Sequence, residues 1–237
     1  MFLNWRNQLK KKFIIIVTLF MTFMIKAGEL TVVEYYNLMP GDFFKTGKYE
    51  IINKSGKYYV TSDADYELEI TVDFKNKYLE INDEGTGGGT TTHEFAVFLR
   101  AGNDPVIGLS EFFFDGVGMD SYLYFFENKD SKWTDITDKL LKKPDMNDFI
   151  DVNDNDMVKL VSELKDYFAF NFTIPRYGTT MKCTLDYSKL LAYTNGDDNS
   201  SLAEKAKKFE NGLKYNTIEF LWDYKKGVFN TGKKMKE

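Results

Sequence analysis

The segment from residue 145 to residue 156 carries the densest set of side chains that could bind a metal ion. Eight of its twelve residues are Asp or Asn, and calcium prefers clustered carboxylate and amide oxygens as ligands. Six of them are candidate calcium ligands: Asp145, Asp148, Asp151, Asn153, Asp154 and Asp156. The EF-hand pattern fails, because a loop starting at Asp151 would need glycine where Asp156 stands and glutamate where Ser162 stands. An acidic linker that caps a helix beginning at Met157 explains the same residues without a metal ion.

The chain has few residues that could serve as a nucleophile with its base or as zinc ligands, since it contains one histidine and one cysteine. His93 follows three threonines at the start of a predicted strand, and the Gly-x-Ser-x-Gly motif of serine hydrolases is absent from the sequence. We interpret His93 as a histidine at the edge of a loop. Cys183 alternates with Met181 and Leu185 on one face of another strand, which predicts a buried, unreactive thiol. The sequence therefore yields no catalytic candidate and no cofactor other than calcium.

Carboxylate pairs and aromatic rings leave two further kinds of chemistry open. Glycoside hydrolysis needs two acids about 5–10 Å apart in a cleft, but 36 acidic residues offer no means of choosing a pair. The rings least committed to a core are Tyr58, Tyr59, Tyr122, Tyr124, Trp133 and Tyr177. Two of these rings, Tyr177 and Trp133, are candidate ligand-binding residues, together with Arg176. Arg176 stands at the tip of a predicted turn over residues 175–178. If the protein inhibits a hydrolase, Arg176 is the candidate side chain that would anchor this turn in the enzyme.

The N-terminal segment has the pattern of a cleaved secretion signal. Basic residues at 6 and 10–12 precede an apolar run over residues 13–25, and Ala27 then supplies a small residue for cleavage. A helix over those 13 residues measures roughly 20 Å, too short for the roughly 30 Å hydrocarbon core of a membrane. We therefore predict a signal peptide over residues 1–27, a secreted or periplasmic mature chain, and no stable membrane insertion after cleavage.

The charge of the mature chain narrows the choice of partners. Removing residues 1–27 takes away five Lys and Arg side chains and no acid, so the net charge moves from −5 to about −10. Nucleic-acid binding depends on clustered Lys and Arg. We therefore expect no nucleic-acid partner, and an unknown protein or a carbohydrate as the ligand.

Alternating apolar and polar residues predict antiparallel sheet with one face toward water. The four clearest segments are Tyr66–Phe74, Tyr167–Ile174, Thr180–Tyr187 and Thr217–Tyr224. Capping boxes begin one helix at Thr31, which ends near Met39, and another at Ser201, which ends near Phe209. A third helix fits Met157–Lys165. The predicted fold class is α+β, predominantly antiparallel β-sheet with a few short helices.

The domain organisation follows from the same pattern. Residues 28–237 are predicted to form a single mature β-rich domain, with possible subunits 28–150 and 151–237. Two strands joined by a turn at 94–114 are followed by an aromatic strand and a second turn, and the same succession recurs after residue 167. One cysteine cannot form an intrachain disulfide, so the domain must be held by packing, which an aromatic content of 16% favours.

Three phrases of the sequence resemble phrases in uncharacterised secreted bacterial proteins that are rich in β-structure. They are Lys-Trp-Thr-Asp-Ile-Thr at 132–137, Pro-Arg-Tyr-Gly-Thr-Thr at 175–180 and Ile-Glu-Phe-Leu-Trp at 218–222. The resemblance implies an exported bacterial protein of no family with a known function, and it carries over no functional residues. We therefore expect a non-catalytic exported module that binds a ligand or partner. The alternatives are a secreted hydrolase that uses carboxylates on polysaccharide, and an exported inhibitor of a hydrolase.

Overall fold

The computed structural model describes residues 30–61, 67–85, 89–102, 104–116, 118–194 and 200–236. The predicted signal peptide over residues 1–27 lies outside these ranges. Within them, no helix is both long and apolar enough to span a membrane. The chain from Val32 onward clusters into one compact unit, which contains every element described below.

Three antiparallel sheets make up most of this unit. The first sheet holds β1 (Glu50–Lys54), β2 (Lys57–Thr61) and β3 (Glu67–Glu69). The second holds β4 (Thr71–Asp73), β5 (Tyr78–Asp83), β6 (Thr90–Leu99), β7 (Pro105–Phe114), β8 (Met119–Lys129) and β9 (Lys132–Asp135). The third holds β10 (Ala169–Thr173), β11 (Thr180–Asp186), β12 (Thr217–Asp223) and β13 (Val228–Met235). In each sheet the strands follow one another in chain order, which confirms the predicted fold class of α+β with predominantly antiparallel sheet.

The helices within the described ranges are short. They are α1 (Val32–Leu38), α2 (Thr137–Leu140), α3 (Asn155–Glu163), α4 (Ser188–Thr194) and α5 (Ser200–Gly212). The first ends close to the predicted residue, because the proline that follows disfavours helical backbone before it. The sequence does not predict α2 and α4, since helices of four and seven residues are too short to show a helical repeat of apolar residues.

The bounds of α3 and α5 differ from the predicted ones. Helix α3 begins two residues before Met157, because the Asp154 side chain caps it and accepts from the Met157 N–H at 3.0 Å. Helix α5 continues past Phe209 to Gly212, and the predicted capping box at Ser201 lies inside the helix. Each difference falls at a helix end, where local signals are weakest.

The second sheet is the central layer, because side chains on both of its faces are buried. In β6, Phe95 and Val97 pack with α1 and the first sheet. Ala96 and Phe98, between them in sequence, pack with the third sheet and with α3 and α5. Successive residues of a strand point to opposite faces, so one strand supplies side chains to two cores.

The predicted strand Tyr66–Phe74 is wrong as a single element. Its described part divides into β3 and β4, which belong to different sheets. Ile70 lies buried at the break, and its N–H donates to the Tyr58 carbonyl at 3.0 Å. The alternation continues through the break, because a chain that passes from one packed sheet to the next still buries every second residue.

The two similar stretches of the sequence form two separate meanders. Strands β6 to β9 are consecutive neighbours within the second sheet, and β10 to β13 make up the third sheet. Buried Ser110 of β7 joins them, since its Oγ donates to the Phe172 carbonyl of β10 at 2.6 Å. Strand β10, an edge strand of the third sheet, is therefore hydrogen-bonded to a face of the second sheet.

Candidate functional site

The candidate calcium ligands are engaged in local caps and ion pairs. Asp145 accepts from the Asn147 N–H at 2.8 Å and caps a short 3-10 helix. The carboxyl group of Asp148 is 2.8 Å from Lys234 Nζ. Desolvation raises the pKa of Asp148, but the bonds from Lys234 and from the Asp145 backbone outweigh it and leave the pKa below its ordinary value.

The later residues of the same segment also form local caps and ion pairs. Asp151 accepts from the Asn153 N–H at 3.0 Å, Asp154 caps α3, and Asp156 is 3.6 Å from Lys208 Nζ. Across the described part of the chain, no three His, Cys, Asp or Glu residues are grouped to hold a metal ion. The structure does not gather the six candidates around one point.

The candidate ligand-binding residues lie at two separate places. Arg176 Nε donates to Asp73 Oδ2 of β4 at 3.0 Å, and the guanidinium lies 5.2 Å from the Tyr177 ring centroid. Trp133 lies on β9, and its ring and that of Phe126 form a T-shaped pair with centroids 6.5 Å apart. Strands β4 and β9 are the opposite edges of the second sheet, so Trp133 does not share a site with Arg176 and Tyr177.

His93 lies within β6 and is fully buried, so its interpretation as a loop-edge residue is wrong. Its Nε2 is 2.6 Å from Thr46 Oγ1, and that hydroxyl donates to Glu111 Oε1 at 2.8 Å. Because the single hydroxyl proton goes to Glu111, we assign the His93 proton to Nε2 and leave Nδ1 bare. Burial lowers the pKa of His93 to about 4, so the ring is neutral near pH 7.

The His93 network, defined as His93, Thr46 and Glu111, fastens a loop to the sheet. The backbone N–H groups of Lys45 and Thr46 also donate to the Glu111 carboxyl group, at 3.0 and 2.9 Å. His93 and Glu111 are both 0% exposed. A catalytic triad needs a hydroxyl that faces the substrate, whereas this hydroxyl lies between the base and the acid. The network is therefore structural.

An open groove of about 530 Å³ lies between β8 and β10, and we call it the inter-sheet groove. Its volume is within the range of roughly 300–1,000 Å³ that is usual for ligand sites. Strand β9 pairs only with Phe126–Lys129 of β8. Within the described ranges, residues 119–124 of β8 have no partner strand on that side. The groove lies along this part of β8.

Aromatic and charged side chains line the inter-sheet groove. The aromatic ones include Tyr122 and Tyr124 of β8, and Tyr167, Phe168, Phe170 and Phe172 on or just before β10. The charged ones are Asp115, Asp120, Asp166, Asp186, Lys143 and Lys189. Amphipathic rings with a few polar groups are the usual lining of a site for a small ligand.

The carboxylates of the groove differ in how they are bonded. Asp115 and Asp186 accept hydrogen bonds from backbone groups of their own loops, at 2.6 and 2.9 Å. For the side chains of Asp120 and Asp166, no hydrogen bond to another described residue is found. Lys189 Nζ donates to the Asp166 carbonyl at 3.0 Å. Two carboxylates, from different elements, are therefore available to a ligand.

A smaller cavity of about 240 Å³, also open to solvent, shares the lining residue Phe172 with the groove. We call it the Glu94 chamber. Its polar lining residues are Thr92, Glu94, Ser110, Asn171 and Thr173, and Phe112 and Phe172 complete it. Glu94 Oε2 accepts from the Ile174 N–H at 2.6 Å. Together with the Ser110 bond, this contact occupies part of the outer edge of β10.

The acidity of Glu94 is strongly altered. Burial raises its pKa to about 8, helped by the negative charge of Glu80, although the bond from Ile174 N–H lowers it. Glu80 stands directly opposite on β5. Two acids placed across a strand pair repel each other when both are ionised. Glu94 therefore carries a proton near pH 7 and can donate a hydrogen bond.

The sequence interpretation named Tyr122 and Tyr124 among uncommitted rings but missed Glu94 and the groove carboxylates. A signal for Glu94 was present, because it precedes Phe95-Ala96-Val97-Phe98 and shares a face with Ala96 and Phe98. An acid on an otherwise apolar face must be paired, protonated or functional. For Asp120 and Asp166 there was no comparable signal, since the groove forms from elements far apart in sequence.

Comparison with known proteins identifies a fold and no function. No protein-family model and no curated protein matches the chain. A solved structure, that of a domain of an uncharacterized protein from Porphyromonas gingivalis W83, is similar, with a TM-score of 0.53 and 12% sequence identity. The match covers 86% of this chain and 99% of that domain. At this identity the likeness concerns the fold alone, and the expectation of no family with a known function is confirmed.

Proposed function

We propose that this protein is an exported, non-catalytic module that binds a carbohydrate in the inter-sheet groove. The observation that carries the proposal is the lining of that groove: half-buried aromatic rings near two carboxylates that have no partner among the described residues. The C–H faces of a sugar ring pack against aromatic rings, and its hydroxyls bond to carboxylates. Such a ligand uses both features at once.

The charges of the groove favour a neutral ligand. Four aspartates face two lysines, and Lys143 Nζ lies 5.8 Å from the Tyr124 ring centroid. Lys189 is already bonded to a backbone carbonyl. Phosphate groups would meet more negative than positive charge here, and neutral hydroxyls would not be repelled.

The edge of β10 argues against an extended peptide as the ligand. A peptide that added a strand would need free N–H and C=O groups along that edge. The Phe172 carbonyl is taken by Ser110, and the Ile174 N–H by Glu94. A ligand bound through side chains fits this edge better than one bound through its backbone.

The binding test uses four neutral tetrasaccharides: cellotetraose, tetra-N-acetylchitotetraose, maltotetraose and mannotetraose. Isothermal titration calorimetry should detect one or more of them. Tyr122→Ala and Tyr167→Ala, one on each wall, should weaken that binding at least tenfold. Tyr177→Ala is the matched control, because Tyr177 is 69% exposed and does not line the groove; the affinity of this variant should stay within twofold of the unaltered protein. If none of the four binds at millimolar concentration, the proposal is wrong.

A second candidate function is carboxylate-dependent hydrolysis of polysaccharide, and Asp120 and Asp166 favour it. They line one open groove from different elements, and glycoside hydrolysis uses two acids that flank the scissile bond. New reducing ends after incubation with the bound tetrasaccharide, absent with Asp166→Asn, would replace the binding proposal with this one. Intact saccharide after prolonged incubation supports the non-catalytic module.

Export is tested separately. Mass spectrometry of the protein isolated from its native source should find Gly28 at the N-terminus, as cleavage after Ala27 requires. Recovery of a chain that still begins with Met1 would contradict the exported module and leave the groove unaffected.

A further inference from the structure

The Glu94 chamber contains polar groups that the fold does not use. Ser110 and Thr92 are occupied, since Ser110 Oγ donates to the Phe172 carbonyl and Thr92 Oγ1 donates to Asn82 Oδ1 at 3.1 Å. Glu94 is bonded through Oε2 only. Within the described ranges, no hydrogen bond reaches Glu94 Oε1 or the side-chain amide of Asn171. These two groups are free to bind something that enters the cavity.

Their chemistry selects a neutral amide. A protonated carboxyl group offers an O–H donor, and a carboxamide offers both an N–H donor and a carbonyl acceptor. A ligand amide matches this pair, because its carbonyl accepts and its N–H donates. A methyl group on that amide would be placed against Phe112 and Phe172, the apolar lining of the same cavity.

We propose that the Glu94 chamber is the part of the ligand site that receives the acetamido group of an N-acetylated sugar, with Glu94 and Asn171 as its hydrogen-bonding residues. The inference rests on the proposed carbohydrate function and adds the class of sugar. A volume of about 240 Å³ suits one substituent of a ligand, while the adjoining groove of about 530 Å³ takes the rings. Phe172 lines both cavities, which places the two next to each other.

Ionisation of Glu94 should oppose this binding. An ionised Glu94 has no proton to donate and repels the amide carbonyl. On β5, the groups that face Glu94 are Glu80, directly opposite, and Tyr78, whose hydroxyl donates to Glu80 Oε2 at 3.0 Å. Arg176 contributes positive charge nearby, through its interactions with Glu80 and Tyr78. The chamber-lining residues of β7 and β10 are not titratable, so Glu94 governs the change.

The experiment compares two tetrasaccharides with the same β-1,4 backbone, tetra-N-acetylchitotetraose and cellotetraose, which differ only in acetamido against hydroxyl. Calorimetry at pH 6.5 should give the acetylated one at least tenfold higher affinity. At pH 9 the unaltered protein should lose most of this preference. Glu94→Gln should keep it at both pH values, because its carbonyl still accepts from Ile174 N–H while its amide donates to the ligand.

Asn171→Ala tests the contribution of the Glu94 chamber to binding separately from that of the groove. It should abolish the preference for the acetylated sugar and leave the affinity for cellotetraose within twofold, with thermal unfolding confirming an intact fold. Equal affinities for both sugars in the unaltered protein, or the same loss at pH 9 in Glu94→Gln, would overturn the inference and leave the carbohydrate proposal standing. Failure of both sugars to bind, while another of the four tetrasaccharides binds, also overturns the inference alone.

Discussion

His93 and Glu94 are consecutive residues of one strand, yet their side chains lie in two different kinds of environment. His93 is fully buried and Glu94 is half-buried, and desolvation is the largest cause of both shifts, lowering the pKa of His93 to about 4 and raising that of Glu94 to about 8. On the His93 face, aromatic rings close around the network, with the Phe44 and Tyr49 ring centroids at 5.6 and 5.2 Å. On the Glu94 face, a cavity adjoins the carboxyl group.

The comparison shows that a shifted pKa does not by itself mark a functional site. Burial shifts the pKa wherever a titratable group is enclosed. Each face holds a polar atom without a hydrogen-bond partner among the described residues, and the two faces differ in space: Nδ1 of His93 is enclosed, whereas Glu94 lines an open cavity. The His93 network lines neither of the two cavities described above, whereas Glu94 has a free oxygen beside one of them. Variants that change one face at a time should therefore have different effects, and the largest is expected on the His93 face.

Removing the acid of the His93 network should destabilise the protein most. Glu111→Ala leaves the two backbone N–H groups of Lys45 and Thr46 and the Thr46 hydroxyl without their acceptor. We expect the free energy of unfolding to fall by about 3 kcal/mol, measured by urea denaturation. Glu67→Ala is the control, because its ion pair with Lys54 is on the surface and should change stability by about 0.5 kcal/mol or less. A similar small loss in Glu111→Ala would contradict a structural role for the network.

The contribution of neutral His93 to the free energy of unfolding should be lost in acid. A histidine whose pKa is lowered by folding binds fewer protons in the folded state, so its contribution is complete above pH 6.5 and is lost as the pH falls toward 4. Relative to His93→Gln, the unaltered protein should become less stable by about 2 kcal/mol between pH 7 and pH 4.5. Urea denaturation at both pH values measures this difference. If the stability difference between the two proteins did not change with pH, the pKa of His93 would be the same in the folded and unfolded states.

The Glu94 face should show the opposite dependence. An acid whose pKa is raised by folding contributes fully below pH 4.5, and this contribution is lost as the pH rises toward 8. Relative to Glu94→Gln, the unaltered protein should lose about 2 kcal/mol between pH 5 and pH 6.5. Urea denaturation at both pH values measures this difference as well. If both variants shifted in the same direction, the distinction between the two faces would fail.

The smallest effect concerns the contact that holds β10 over the Glu94 chamber. Ser110→Ala leaves the Phe172 carbonyl without its donor, which should cost about 1 kcal/mol. Thr173→Ala is the control, since that side chain is exposed and lines the same cavity; its unfolding free energy should change by less than about 0.5 kcal/mol. Equal effects of the two variants would show that the Ser110 bond does not fasten the edge strand.

Much of the fold could be predicted from local pattern, and most of the candidate site could not. Alternation placed Cys183, Met181 and Leu185 together in the core, and all three are buried. Pro40 ended α1 close to the predicted residue. His93 was misplaced because its polar neighbours suggest a loop, while its burial depends on Thr46 and Glu111. Those residues are 47 and 18 positions away, by their sequence numbers.

The sequence by itself determined the antiparallel strands, because the alternation of side chains is a local property of the backbone. It also determined a core without disulfides and the acidic charge of the chain. Only the tertiary structure decided that the two meanders form separate sheets and that the chain passes from the first sheet to the second at Ile70. It also decided that β8 extends beyond β9 and lines a groove, with Glu94 placed beside a cavity. These outcomes depend on which surfaces meet, and surfaces that meet are distant along the chain.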